Sequence, residues 1–416
     1  MRRVMRTLAA ATTALLAATT IVASPAAHAA DSIVIWSDAA HAPVLEKIFA
    51  KGYKGTPVSV VTKDMAAIRS ELTTVRPAEG PDVIWGDLAW TGELVSANLL
   101  VPAPMTKKRN KQFRTNVLVG SNVGGDRYGV PVQISNLALI TNTTLVPQQP
   151  TTFSALSDLA LKLKKNKKAR VPFALAQSEG TSPWSTYPLF SGLGGYLFGR
   201  SSNGSLSTAD VGLANKKFLG NSDQIDKWNA SGLIDSSLTL DRARTVFKKG
   251  NSAFFLAGPE DLDYLLSLGF AYRIGALPPM VSGTKPVPLL TVHGLMVTRF
   301  ADKHGVGDQA LALVTSKLSR AKPQQDLAAA QGWYPANTGA ATTVATGGGR
   351  IRAIGAAGVD GIPMPNIPQS AVVWAPYAKA WTTSTSGKDA TKAKRAFRIA
   401  NRETNAGLNG GEVPAG

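Results

Sequence analysis

Residues 80–100 read GPDVIWGDLAWTGELVSANLL. The apolar run PDVIW at 81–85 has the length of a buried strand, and the residues after it read as a helix ending near Leu99 and Leu100. Upstream, SIVIW at 32–36 is a second run of the same kind. Residues 42–51 then place Val44, Leu45, Ile48 and Phe49 on one helical face. Val58 to Val61 is a strand, and Met65, Ile68 and Leu72 make the next helical stripe. The order β-α-β-α-β predicts a mostly parallel sheet with helices on both faces.

A second α/β set follows. LALIT at 137–141 reads as a strand. Phe153, Leu156, Leu159 and Leu163 fall at helical spacing behind Thr152, a predicted N-cap. VPFALA at 171–176 and AFFL at 253–256 read as strands. Between them Thr239 caps a helix presenting Ala243, Val246 and Phe247, closed by Gly250. Leu289 to Val297 returns to strand and residues 307–319 to helix. A Gly/Ala/Thr stretch lies at 338–349 and a polar tail starts near 403.

Composition excludes whole classes. The chain has 416 residues, 44% of them hydrophobic, enough for real cores. It has no cysteine, so disulfides, thiolate catalysis and Cys-ligated metal sites are ruled out, as is a lipid on a cysteine. Four scattered His argue against a metal site, and none of His41, His293 and His304 has a ligand-spaced partner. They read as surface or satisfied core residues. The N-terminus has Arg2, Arg3 and Arg6, an apolar run at 8–23, and Ala27-His28-Ala29, which together read as a signal peptide over 1–29. The expected product is exported, periplasmic or at the cell surface. The charge of +18 clusters at 107–111, 162–170 and 392–398. The export signal and the lack of an aromatic-interleaved basic motif argue against nucleic acid.

Six segments align in order with one family. They are IVIWSD at 33–38, the 80–100 stretch above, DRYGVPVQISNLALITN at 126–142, SPWSTYPLFSGLGGYLF at 182–198, VFKKGNSAFFLAGPE at 246–260 and MPNIPQSAVVWAPYAKA at 364–380. The chain resembles the extracytoplasmic solute-binding proteins of ATP-binding-cassette sugar importers (family 1), most of all the maltose/maltodextrin-binding branch. The resemblance implies an α/β, two-lobed periplasmic-binding-protein-like fold with a ligand cleft between the lobes. It implies an N-terminal lobe of 30–133 and 287–334 and a C-terminal lobe of 138–281 and 340–416. Hinges would lie near 134–137, 282–286 and 335–339. It also implies a monomer without cofactor, partnered by an oligosaccharide and by the permease subunits of an ABC importer.

Sugars offer flat C–H faces, which suit aromatic plates, and hydroxyl rings, which suit carboxylates and amides. Such groups are expected in loops at strand ends. In the resembled family, aromatic residues matching Trp184 and Trp374 stack on pyranose rings. Trp374 follows Pro365, Pro368 and Ser370, a candidate N-cap. Trp90 stands where the maltose-binding pattern has Arg, and Ala89 where it has Asp. Asp87, just upstream, supplies a carboxylate in reach. Glu260 stands where the branch has a stacking Trp, and Ser135 where it has a sugar-binding Glu. Gln133 and Asn136 flank Ser135 near the first hinge. Asp38 follows the first strand, and Lys63 and Asp64 the second. Tyr377 lies one turn past Trp374. Each of these is a candidate ligand contact, against a structural alternative of capping, packing or hinge hydrogen bonding.

Two other classes remain open at this level. A secreted carbohydrate-active enzyme needs two carboxylates across a sugar bond, for which Asp87 and Glu260 are the available pair. No G-x-S-x-G, H-E-x-x-H or phosphate-loop motif supports it, so no catalytic residue is expected. A surface protein held on anionic wall polymers by its charge is the other.

Overall fold

The computed structural model describes residues 32–410 apart from 179–181, 202–203 and 345. The expected signal segment at 1–29 lies outside the described residues. Two sheets carry the fold. Their strands are β1 (Ile33–Ser37), β2 (Val58–Thr62), β3 (Val83–Asp87), β4 (Val130–Ser135), β5 (Ala138–Asn142), β6 (Phe173–Ala174), β7 (Phe254–Ala257), β8 (Tyr272–Gly275), β9 (Leu289–Val297), β10 (Tyr334–Pro335) and β11 (Ile362–Pro363).

The seven-stranded sheet runs β10-β4-β9-β3-β1-β2, with β11 on β9. The four-stranded sheet runs β8-β5-β7-β6. The parallel expectation holds for β1 with β2 and β3, where short βαβ units force it. It holds also for β7 with β6 and for β9 with β11, and gives way elsewhere. β9 lies antiparallel to both β3 and β4, and β5 antiparallel to β7 and β8. These strands are reached by long excursions through the rest of the chain, so nothing local imposes a direction.

Burial follows the pleat. In β7, Phe254 and Leu256 enter one core while Phe255 and Ala257 enter another on the opposite face. A strand covered on both faces reads as a continuous apolar run, which is why its sequence shows no alternation. The same holds for Ile33, Ile35, Val83 and Trp85, all completely buried in the first core.

The helices start where their caps say. Thr152 Oγ1 accepts from the Ala155 N–H at 3.2 Å, and Thr239 Oγ1 from the Arg242 N–H at 3.2 Å. Each such cap is worth about 1 kcal/mol. Ser370 is a correction. It lies in helical conformation and makes no capping bond, because a 3₁₀ turn over Pro368–Ser370 already leads into the helix. The tail after 403 is a second correction: the Ala393–Leu408 helix runs through it, held by Ala396, Phe397 and Ala400 in the second core.

The first core draws on residues 33–134 and 290–351, and the second on 137–289 and 373–400. Residues 335–339, where the third crossing is expected, lie beside the first core. Ala336, Ala341, Val344 and Ile351 still pack in the first core, and Ile354 is the next to join the other side. No helix among the described residues is long and apolar enough to cross a membrane.

Candidate functional site

The site forms where the ends of β1, β3 and β4 meet the turn after β7. Asp38 follows β1 directly. Its Oδ1 accepts from the N–H groups of Ala40 and His41 at 2.8 and 3.0 Å, and the carboxylate meets His41 Nδ1 at 2.8 Å. Burial alone raises this carboxyl. The His41 ring, its charge and the two backbone donors outweigh burial and hold it below its ordinary value. Asp38 therefore closes the turn before the Ala42–Ile48 helix and orients His41.

His41 is fully buried and stacks on Trp85 at 3.9 Å between centroids. Its Nε2 meets Gln133 Oε1 at 3.1 Å, and Gln133 Nε2 donates to Gln331 Oε1 at 2.7 Å. Gln133 is thus an interior strut with both ends committed, which corrects its expected role as a ligand contact. The histidine reading stands: His41 and His304 are satisfied residues, the latter bonded to Asp82 and to the Pro77 carbonyl. No group of acids and His able to hold a metal occurs among the described residues.

Asp87 ends β3, in register opposite His293 of β9. Its Oδ1 accepts from the Ala89 N–H at 2.9 Å and starts the 3₁₀ turn Leu88–Trp90. Desolvation pushes the carboxyl up to about 6; the Ala89 bond and the Arg69 charge only partly oppose it. Burial likewise lowers His293 to about 4, with the His41 charge adding to it and Asp38 opposing. His293 also stacks on Trp333 at 4.6 Å. Trp333, half-buried after Gly332 in left-handed conformation, is an aromatic that no sequence motif singled out.

Trp90 is half-buried and packs against β3 at Gly86. A side chain at Gly86 would sit 2.4 Å from its ring, so only glycine admits this pose. Arg69 stands 6.0 Å from the ring centroid.

Across the junction, Glu260 follows Gly258-Pro259 after β7. Ser135 Oγ, at the end of β4, donates to Glu260 Oε2 at 3.2 Å, so one hydrogen bond joins the two sheets' ends. Glu260 keeps access to water, yet protein crowds it and desolvation raises its carboxyl. Asp261, beside it, is pinned by Arg244 Nε at 2.8 Å.

Trp184 and Trp374 occupy the first turns of two helices packed together, Ser182–Gly192 and Ala371–Ser384. Both indoles are half-buried against the second core, leaving part of each free. The approach to Trp374 is fastened to the other side. Asn366 Nδ2 donates to Thr91 Oγ1 at 3.2 Å and to the Asn122 carbonyl at 2.9 Å. Thr91 is the residue after Trp90, so this tie brings the start of the Trp374 helix toward the Trp90 turn.

Four further expectations are corrected. Tyr377 is wholly buried, ringed by Phe190, Phe397 and Trp381, with its hydroxyl 3.1 Å from Thr186 Oγ1. Asn136 is buried and donates to the Ile354 carbonyl at 2.8 Å, bracing the crossing from β4 to β5. Asp64 caps the Met65–Leu72 helix through the Ala66 N–H at 2.8 Å. Lys63 lies 4.2 Å from the Trp36 ring centroid and pairs with Glu71. Tyr377 and Asn136 are closed off by burial, while Lys63 and Asp64 have partners of their own but keep access to water. The indoles of Trp90, Trp184 and Trp374 stay partly free, and desolvation raises the carboxyls of Asp87 and Glu260.

Comparison with known proteins places this geometry in a family. Residues 44–347 match the family model described as bacterial extracellular solute-binding protein. A galactooligosaccharide-binding protein of Bacillus subtilis (strain 168) is 24% identical over 366 residues, covering 86% of this chain and 85% of that protein. A maltodextrin-binding protein of the same organism is 25% identical over 348 residues, covering 80% of each. Among solved structures, a cyclo/maltodextrin-binding protein complexed with maltotetraose superposes with a TM-score of 0.77 at 23% identity, over 92% of this chain and 98% of that one. An extracellular solute-binding protein of Staphylococcus aureus in complex with maltose gives 0.78 at 21% identity, over 91% and 98%. The fold is therefore the two-lobed one of binding proteins, not that of an enzyme. The chain belongs to the family of bacterial extracellular solute-binding proteins.

Proposed function

We propose that this protein captures an oligosaccharide of the maltodextrin type between its two lobes and delivers it to an ABC importer. The observation that supports it is the junction itself. Trp90, Trp184 and Trp374 are half-buried with part of each indole free, and desolvation raises the carboxyls of Asp87 and Glu260. Indole faces take the C–H faces of pyranoses, and carboxylates short of solvation take hydroxyl hydrogens. The names of the relatives point the same way, toward galacto- and malto-oligosaccharides.

One lobe carries the seven-stranded sheet and the other the four-stranded sheet, with hinges at 134–137 and 282–286 and a last crossing near 351–354. Closure is a population shift. A sugar that touches both lobes favours the closed arrangement only through contacts absent from the open one. Micromolar affinity corresponds to about −8 kcal/mol, within reach of a few stacked rings and several hydroxyl bonds. The protein acts as an exported monomer and changes no bond in its ligand.

Isothermal titration with maltotetraose and with a galacto-oligosaccharide tests this. Saturable binding of maltotetraose, tighter than of the galactoside, is the expected result. Preference for the galactoside would move the ligand class. Heat from neither sugar would overturn the sugar reading.

A further inference from the structure

Two of the basic clusters, 162–170 and 392–398, lie far apart in the chain and meet in the fold. Three helices set them side by side, Phe153–Lys165, Asp223–Ser231 and Ala393–Leu408. Each buries an apolar stripe in the second core, with Leu163, Trp228 and Phe397 among the buried residues, so each turns its polar face outward. Gly232, just past the middle helix, is the bridge. A side chain there would stand 3.3 Å from Lys164 Nζ, and Gly232 lines a surface hollow of about 520 Å³ together with Lys388 and Lys392. A second hollow of about 420 Å³ shares Lys392 and continues along Lys394, Arg395, Arg398 and Arg402.

These cations are open to solvent. Lys392 is 80% exposed, and Lys164, Lys394, Arg395, Arg398 and Arg402 are exposed as well. Among the described residues none of those five has an ion pair or a side-chain hydrogen bond. Asp226, the one acid among the described residues lining the two hollows, is committed. It accepts from the Ala393 N–H at 2.9 Å and stands 3.8 Å from Lys392. The placement of the cations works against the helix that carries them. Lys392, Lys394 and Arg395 sit at its N-terminal end, with no acid in the first turn, where the macrodipole disfavours positive charge. Lys394, Arg398 and Arg402 follow at steps of four, where like charges repel. An anion laid along them relieves both penalties.

We propose that this basic band is a second binding surface, for a linear polymer with phosphate in its backbone. Steps of four residues put a cation about every 6 Å along the helix, a row that suits charges repeating along a chain. Arg395, Arg398 and Arg402 carry planar forks that take a phosphate through two N–H bonds each. Neither hollow has an aromatic among its lining residues, so there is no plate for a nucleic-acid base. Ile399, the apolar residue among the cations of the second hollow, is half-buried and offers a bilayer nothing to insert. The band shares no residue with the proposed sugar contacts.

Fluorescence anisotropy of labelled inorganic polyphosphate with the purified protein tests the band. The expected result is saturable binding that weakens as salt rises, with weaker binding of polyglutamate and of phosphatidylglycerol vesicles. Arg395→Gln, Arg398→Gln and Arg402→Gln combined should weaken polyphosphate by roughly tenfold or more. Lys107→Gln, Lys108→Gln and Lys111→Gln combined remove as much exposed charge beside the first core and should change it by less than about twofold. Lys164→Gln with Lys388→Gln, at the other end of the band, should weaken it too, and replaces the arginine variant should that fail to fold by circular dichroism. No saturable binding, equal or tighter binding of polyglutamate or of the vesicles, unchanged affinity in a folded band variant, or an equal loss from the Lys107, Lys108 and Lys111 changes would each overturn the proposal. Maltotetraose enters none of these readouts, so this proposal and the sugar reading fail separately.

Discussion

Asp87→Asn should make the protein more stable at neutral pH and no more stable in acid. Desolvation raises the Asp87 carboxyl from its ordinary 3.8 to about 6 in the folded chain. A tenfold change in proton affinity is worth about 1.4 kcal/mol, so holding this carboxylate charged costs at most ~3 kcal/mol. The sign follows from proton counts. Between pH 3.8 and about 6 the folded state holds more proton on Asp87 than the unfolded state. Stability contributed by this group therefore falls as pH rises through that window. Asn keeps an oxygen for the Ala89 N–H and carries no charge. Urea unfolding of both proteins from pH 3.5 to 7.5 should show curves that converge at the acid end and separate toward ~3 kcal/mol above pH 6. A constant difference across the range, or a less stable variant at pH 7, would refute the desolvation argument. The same experiment bears on function. A carboxylate kept at such cost is poised to accept hydroxyl hydrogens, so maltotetraose affinity of the unsubstituted protein should rise with pH through 6 and that of Asp87→Asn should not.

His293 has the opposite sign. Burial lowers it to about 4, so its contribution is lost as pH falls from about 6.5 to 4, and His293→Gln should flatten that loss in urea unfolding. Trp374→Ala should weaken maltotetraose binding at least tenfold with a small change in melting temperature, since the indole is only partly packed; calorimetry and a thermal melt separate the two. Tyr377→Phe should cost about 1 kcal/mol of stability, the worth of its hydrogen bond to Thr186, and leave affinity unchanged by calorimetry. Glu260→Gln should lower affinity, and equal titration curves would confine Glu260 to its bond with Ser135.

The two sheets were legible because buried strands and amphipathic helices write their period into short windows. SIVIW and PDVIW could be read as strands without any partner in view, and Thr152 and Thr239 as caps from their neighbours alone. Pairing direction was not legible, since β9 meets β3 across some two hundred residues of chain. The site divides along the same line. Asp38 and Asp87 could be singled out as candidates because they stand at strand ends, and Glu260 because it follows Gly258-Pro259. Whether a side chain there is free or committed depends on remote partners: Gln331 for Gln133, Thr186 for Tyr377, Ile354 for Asn136. No local pattern encodes those bonds. Trp333 was missed for the same reason, because its meaning comes from the His293 ring it covers.

The two departures from the resembled branch are better understood together than apart. Where that branch has an Arg, this chain has Trp90, and where it has a stacking Trp, this chain has Glu260. Each loss is matched on the opposite side of the junction: an aromatic plate moves to the β3 turn, and a charged hydrogen-bonding group moves to the turn after β7. The structure supports both moves locally. Gly86 leaves room for the Trp90 ring to lie on β3, and Arg69 approaches its face. Ser135, standing where the branch has a Glu, donates to Glu260 instead of adding a second carboxylate beside it. Two carboxylates at that distance would repel and drive one toward its neutral form. On the proposed reading the exchange keeps the chemistry a sugar needs, plates for its faces and acceptors for its hydroxyls. On that reading, Trp90 and Glu260 act on the ligand as a pair, beside the plates Trp184 and Trp374 packed on the second core.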